Sequence, residues 1–438
     1  MGMTDPRSPR VTVSFVDSYC ATYKQLFPEV RSYESFRDLH LGIISNIKRK
    51  TLPEIAAVVG RENHQGLHHF LSESPWLASS LTQQRLKTIL QVLKGKEIIV
   101  IVDETGDKKK GHSTDYVKRQ YIGNLGKIEN GIVVVTVWGL FKGITFPLMF
   151  EVYKPKERLK QEDEYKTKPQ LAGMILKHLS AMGFKFELVL ADSLYGESDT
   201  NFISVLNEIK VNFAVAIRSN HGVWLPAGQR VRYNKWRKFE RVFSEGKKEL
   251  RYIREIIFGK KRAVQYWQIT TDIDKLPENS TWWIMTKIPG VNYSQVGNVY
   301  GLRTWVEYGL KQSKNELGWA DFRLTDYCQI QKWWEVVCSA YLMVSLHSEK
   351  LGKTSGELEK IFAENPEWDE KSGWKNLLNN LRLILEPFTC SNRIKTWLKV
   401  FPIPQLEQGL LQLIALMNVF GKRLYLPPRA DDSYFSSA

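Results

Sequence analysis

Cysteine is scarce in this 438-residue chain, and the four present, Cys20, Cys328, Cys338 and Cys390, are scattered, with no CxxC pair and no histidines at zinc-finger spacing. A disulfide framework and a structural zinc site are both unsupported. Long apolar runs are missing too: no stretch approaches the roughly 18 residues of a membrane span. The opening MGMTDPRSPR has no apolar signal core. A cytoplasmic protein without a membrane partner is expected. No internal repeat or low-complexity tract is present, and Gly and Pro are at ordinary levels, which sets aside fibrous and disordered classes. Acidic residues are in deficit, 47 against 62 Lys and Arg, for a formal charge of +15. That balance favours a polyanionic partner such as nucleic acid without specifying one.

What is there suits a globular protein of two or three domains, with 43% hydrophobic and 25% charged residues. Residues 1–95 read as a helical N-terminal domain. Within it, Thr51-Leu52-Pro53-Glu54 has the form of an N-cap with its acid three residues on, ahead of Ile55–Val59 and a break at Gly60. A second helix, Asn63 to Leu71, carries Gln65, His68 and His69. The pair fits a helix-turn-helix whose second helix reads the major groove, although by pattern alone an ordinary helical hairpin is the commoner arrangement.

From Glu97 the character changes. Ile98-Ile99-Val100-Ile101-Val102 is a β-branched run expected of a strand buried on both faces, and it ends on Asp103. Two strands are expected at 131–139 and 144–152, then an amphipathic helix at 168–182. A second buried strand, 187–191, ends on Asp192, and a helix near 199–209 and a strand at 212–217 follow. Strands that first meander and then alternate with helices describe an α/β domain. Residues 218–290 break the pattern with short β-rich segments and five tryptophans, Trp224, Trp236, Trp267, Trp282 and Trp283. Between Gln229 and Arg262, 13 Lys or Arg face 4 acids. Helical pattern resumes near Val299, runs to Leu346, and returns at 373–386 and 404–419. The tail from Pro427 is polar and expected to fray.

The segment with most chemical content is Tyr300-Gly-Leu-Arg303-Thr-Trp-Val-Glu307-Tyr-Gly-Leu-Lys311-Gln-Ser-Lys314. On one continuous helix, Tyr300, Arg303, Glu307, Lys311 and Lys314 fall within an arc of roughly 100°. A solvated charged face would explain Glu and Lys; Tyr and Arg beside them suit a metal-binding carboxylate flanked by phosphate donors. Asp103, Asp192 and Glu307 together supply the oxygen ligands that a two-metal phosphodiester site needs. Singly, each Asp could merely cap a turn. The Asp107-Lys108-Lys109-Lys110 loop, with Lys118-Arg119-Gln120, is expected at the mouth of that site, as phosphate contacts or as a solvated surface.

Tyr300, Arg303, Glu307 and Lys314 keep every spacing of the Y-x2-R-x3-E-x6-K signature of IS4-type DDE transposases, which this chain therefore resembles. The segments 102–106 (VDETG), 119–126 (RQYIGNLG), 191–196 (ADSLYG) and 68–76 (HHFLSESPW) further resemble the IS701 family of insertion-sequence transposases, and the likeness spans about residues 35–350. It implies an RNase H-like catalytic core, with the first Asp on its first strand, the second on its fourth and the Glu on a later helix. The core would occupy 96–217 and 291–350, interrupted by the β-rich basic insertion 218–290, after a helical DNA-binding domain at 1–95 and before a helical C-terminal region at 351–438. The gaps are 89 and 115 residues, the second wide enough for the insertion.

The resemblance implies two Mg²⁺, with Mn²⁺ as substitute, held by Asp103, Asp192 and Glu307. It implies cut-and-paste DNA transposition through a hairpin intermediate, and recombination of the element into target DNA. Terminal inverted repeats and target duplex would be the partners, with a homodimer on paired ends, nucleoid-associated when bound. DNA contacts are expected from Tyr300, Arg303, Lys311, Lys314, Lys109, Lys110, Arg119, Gln65 and His68. Trp282 or Trp283 could stack on a flipped base, or be core. A domesticated, non-cutting DNA-binding regulator and a nuclease without strand transfer are the alternatives.

Overall fold

A computed structural model describes residues 7–223, 227–228, 230–243, 247–258, 264–352, 367–369 and 373–424. Trp224, Lys260 to Arg262, the tail from Pro427 and part of the 351–438 region lie outside the described residues. The chain forms two compact units, one of residues 1–92, 142–146 and 310–438, the other of 93–141 and 147–309.

The first unit is helical. Its centre is the helix Tyr327–Leu346, buried along almost its whole length, with Trp333, Trp334 and Tyr341 at most 1% exposed. Helix Val30–Ile44 docks on it, and the His40 ring meets the Ser339 hydroxyl at 2.9 Å. At Gly42 a Cβ would come within 2.3 Å of Ile55, so the glycine sets how closely helix Leu52–Val58 approaches. Thr51 sits at the N-cap of that helix but makes no side-chain cap hydrogen bond. The expected capping box, which would join the Thr51 side chain to the Glu54 N–H, is therefore not formed. Gln65–Ser72 buries Leu67, Phe70 and Leu71 and turns Gln65, His68 and His69 outward. Helix Trp374–Val400 runs past the helix pair, where Asn392 donates to the Val58 carbonyl (3.0 Å) and abuts Gly60. Gly60 itself sits at φ 73°, as the turn requires.

The second unit is built on a mixed sheet of strands β1 Glu97–Lys108, β2 Lys118–Ile122, β3 Lys127–Phe141, β4 Ile144–Val152, β5 Lys185–Ala191, β6 Phe213–Ile217, β7 Val231–Tyr233, β8 Arg237–Val242, β9 Lys248–Phe258, β10 Gln265–Thr270 and β11 Trp282–Lys287. Its order is β2-β3-β1-β5-β6-β11-β10-β9-β7, with β4 on β3 and β8 on β9. The strands β1, β5 and β6 are parallel; the rest pair antiparallel. A large mixed sheet with helices is consistent with a DDE nuclease fold. β11 pairs with the β6 edge, so the strands of 218–290 extend the same sheet.

Two sequence expectations need correction. The strand β1 does not stop at Asp103: its antiparallel ladder with β3 continues to Lys108↔Gly131, because β3 is fifteen residues long and satisfies those backbone groups. The segment 299–315 is not one helix. Tyr293–Gly301 and Thr304–Asn315 are separated at Leu302-Arg303, where i→i−3 bonds (Arg303 N–H to Tyr300 O, 3.1 Å; Val306 N–H to Arg303 O, 3.2 Å) tighten the turn. Among the described residues no helix is long and apolar enough to cross a membrane.

In the helical unit, Arg85 pairs with Glu335 (3.1 Å) with both side chains at most 2% exposed. Removing one member leaves a buried, uncompensated charge. Arg85→Met is expected to cost about 3–5 kcal/mol, and Arg85→Met with Glu335→Leu to recover most of it, both read by chemical denaturation.

Candidate active site

The parallel pairing of β1 with β5 ends at Val102↔Ala191. Asp103 and Asp192 are each the next residue, so the register alone brings the two carboxylates to one level at the carboxyl ends of adjacent parallel strands, the position at which α/β sheets open a crevice. Asp103 stays in the β1–β3 ladder, where Thr136 donates to its carbonyl (3.1 Å), and its Oδ1 accepts from the Glu104 N–H (2.8 Å). Asp192 leaves β5 and caps the short helix Ser193–Gly196, accepting from the Leu194 N–H (2.9 Å). That helix lies so close on β6 that a Cβ at Gly196 would come within 1.9 Å of the Ala216 carbonyl oxygen. The last residue of the ADSLYG segment is thus a packing requirement that holds Asp192 in place.

The third acid, Glu307, comes from helix Thr304–Asn315 and is half exposed. Arg303 joins it to the first: one guanidinium nitrogen is 3.3 Å from Asp103 Oδ2 and the other 2.9 Å from Glu307 Oε1. Arg303 therefore neutralises carboxylates, whereas the sequence suggested a donor turned to DNA. Its own pKa is affected most by burial, which lowers it, but Tyr300, Asp103, Glu307 and Asp192 together hold it above the ordinary range. Tyr300 is buried beside it, and burial raises its phenol to about 12.

Burial dominates both strand-end acids. It pushes Asp103 up to about 7 in spite of Arg303, with Asp192 and Glu307 adding to the rise, and it raises Asp192 as well. The site is short of positive charge. Three further side chains border the acids. Glu104 pairs with Lys168 at 2.5 Å, and the fully buried Tyr195 hydroxyl has no hydrogen-bond partner among the described residues while feeling Glu104, Asp192 and Asp103. Glu104 and Tyr195 lie inside the VDETG and ADSLYG segments with no spacing that marks them, and Lys168 gives no signal at all.

The remaining expected contacts are dispersed. Lys311 is exposed and Lys314 half-buried on the continuation of the Glu307 helix, past the boundary of this unit. Because β1 runs on, Lys109 and Lys110 stand roughly 20 Å along the strand from Asp103, at about 3.3 Å per residue. They are not at the mouth of the site. Arg119 is exposed on β2. Gln65 and His68 belong to the helical unit. Trp282 and Trp283, as strand neighbours, point to opposite faces. Trp282 lies under Arg251 and Arg241, whose guanidinium carbons are 4.4 and 5.5 Å from its ring centre, whereas Trp283 is cross-strand from Gln268 and Ile217. Trp267 is core, its indole N–H donating to Thr286 (3.0 Å).

Over residues 25–247 the chain matches the DDE superfamily endonuclease family. It is also 64% identical, over 329 residues, to a protein of Microchaete diplosiphon described as a probable transposase for insertion sequence element IS701, a match covering 75% of this chain and 87% of the relative. The chain belongs to the IS701-family DDE transposases. Asp103 and Asp192 fall within the matched endonuclease segment. Glu307 lies beyond it and rests on the signature spacing and on the Arg303 contact.

Endonucleases of this superfamily generally use divalent metals. Among the described residues no three His, Cys, Asp or Glu side chains are gathered as a ready-made metal cage, since Glu307 is turned to Arg303. The donor chemistry nevertheless fits a hard cation: oxygen ligands only, with buried carboxyls whose raised pKa marks a charge deficit.

A carboxyl with a raised pKa in the folded state holds its proton more tightly there than in the unfolded chain, so its ionisation costs stability as pH climbs from about 4 to about 7. Metal-free Asp103→Asn protein is expected to lose less thermal stability than wild type between pH 5 and pH 8. Identical pH profiles of the melting temperature would contradict the buried-acid assignment.

Proposed function

We propose that this protein is the transposase of an insertion sequence, which cuts DNA at the element's terminal inverted repeats and joins the freed 3′-hydroxyls to target DNA. The observation that carries the reading is the pairing of Arg303 with both Asp103 and Glu307, with Asp192 beside Asp103 at the adjacent strand end, in a chain of this family. Asp103, Asp192 and Glu307 would hold two Mg²⁺, or Mn²⁺, which when bound supply activation of the attacking oxygen and stabilisation of the leaving oxygen.

The protein's own groups do the positioning. Ser193–Gly196 fixes Asp192, and the β1–β3 ladder fixes Asp103. Arg303, whose guanidinium lies between Asp103 and Glu307, would offer its planar fork to a phosphate at the site. Tyr300 packs beside Arg303 and limits its swing. Lys311 and Lys314, with Lys109, Lys110 and Arg119, contact backbone phosphates, and Gln65 and His68 on the outward face of Gln65–Ser72 read the terminal repeat as part of a DNA-binding domain at 1–95. The β-rich segment 218–290 is an insertion in an RNase H-like core formed by 96–217 and 291–350. Trp282 or Trp283 stacks on a base flipped during hairpin formation, worth about 1–3 kcal/mol. Two copies pair the two ends, acting in the cytoplasm at the nucleoid.

The test is incubation of end-containing duplex with Mg²⁺ or Mn²⁺. Wild type is expected to yield nicks, hairpins and joined products, while Asp192→Ala and Glu307→Gln bind the same duplex and yield none. If Asp192→Ala gives the wild-type products, the active-site assignment fails. Binding by wild type without any cleavage indicates a regulator, and nicks that never become joined strands indicate a nuclease.

A further inference from the structure

The β-rich segment carries a second concentration of charge that the triad does not account for. Register places Phe239 and Arg241 of β8, Glu249 and Arg251 of β9, and Trp282 of β11 on one face of the sheet. Helix Tyr293–Gly301 lies on that face through two glycines one turn apart. A Cβ at Gly297 would come within 2.2 Å of the Phe239 ring, and one at Gly301 within 3.2 Å of the Arg241 Nε. The close approach seats Arg241 against the residues that lead into Arg303 and Glu307.

Arg241 and Arg251 are each only 7% exposed. Arg251 gives Nε and Nη2 to Glu249 (3.1 and 2.9 Å), but its Nη1 is buried with no hydrogen-bond partner among the described residues. Arg241 donates no side-chain hydrogen bond among the described residues; its guanidinium rests over Phe243 at 4.7 Å and over Trp282. Burial and then the neighbouring Arg251 lower the Arg241 pKa, while Glu249, Tyr300 and Glu307 act in the opposite sense. Two buried like charges with donors to spare are costly unless an anion completes them. Arginine forks held against aromatic rings have the shape and orientation for a phosphodiester oxygen pair.

We infer that Arg241 and Arg251, set over Trp282 and beside the Tyr300–Glu307 segment, form a phosphate-binding site that holds the backbone of the element's end DNA next to the catalytic acids. The inference rests on the DNA-processing reading above and names two residues that the signature motif does not contain. Trp282 acts there as the platform that orients Arg251, and Glu249 as the carboxylate that fixes its remaining edge.

The test is binding of full-length protein to end-containing duplex, without divalent metal, across a salt series. Each neutralised phosphate contributes a slope of about 0.9 in log affinity against log salt. Arg241→Gln and Arg251→Gln are expected to weaken binding and each to lower the slope by up to about one. A methylphosphonate at the contacted linkage should weaken wild type by the same factor and leave Arg241→Gln unaffected. With no ligand, Arg241→Gln should melt at or above the wild-type temperature, because it relieves repulsion without breaking a hydrogen bond.

Wild-type affinity and slope in the Gln variants would overturn the inference, as would a methylphosphonate profile that is unchanged by the substitution. If Arg251→Gln fails to fold, Arg241→Gln decides alone; a melting temperature far below wild type in that variant assigns the pair a structural role and likewise overturns it. A wild-type protein that cuts end DNA while both variants bind normally defeats only this inference. A wild type that neither binds nor cuts end DNA defeats the function proposed above.

Discussion

The parallel ladder between β1 and β5 is the constraint on which the site depends. Its last pair, Val102↔Ala191, sets Asp103 and Asp192 side by side with no side-chain contact needed to arrange them. A slip of one residue would turn one carboxylate to the opposite face, so hydrophobic burial of both strands is what specifies the acid pair. The chain then meets the cost of gathering buried carboxylates with a single cation, Arg303, whose guanidinium reaches both Asp103 and Glu307. Burial still wins over that pairing at Asp103.

The support around the acids is made of close fits at glycines. Gly196 lets the Asp192-capped helix lie on β6, and Gly297 and Gly301 let helix Tyr293–Gly301 lie on the β8–β9 strands. Gly196 and Gly297 stand where a methyl group would drive elements apart, so the positions of Asp192 and of the helix that leads to Arg303 and Glu307 are set by how closely elements pack. The β-rich strands continue the sheet from β6 through β11, which carries Arg241, Arg251 and Trp282 into the same unit as Asp103, Asp192 and Glu307.

The long β1–β3 ladder has a different consequence. By extending five residues past Asp103, it carries Lys109 and Lys110 away from the carboxylates. Strand length cannot be read from the β-branched run 98–102 alone, because residues 104–108 are polar or small and gain their strand from β3. The helix break at Leu302-Arg303 has a similar origin: a periodicity of 3.6 suggests one stripe, but i→i−3 bonds tighten the turn and aim Arg303 at the acids.

From sequence alone, the parallel-strand segments, the basic β-rich stretch and the three acids with their Tyr, Arg and Lys companions were legible, since buried β-branched runs and a spaced signature are local patterns. The family followed from those same residues. Tertiary structure decided what no local pattern encodes. It showed that Arg303 faces Asp103 and Glu307, and that Lys168 and Tyr195 border the acids. It also showed that Trp282 and Trp283 part to opposite faces, and that Arg241 and Arg251 converge from two strands over one indole. Each of these depends on cross-strand register and on how closely a helix can approach a sheet, and those are set by packing between segments far apart in the chain.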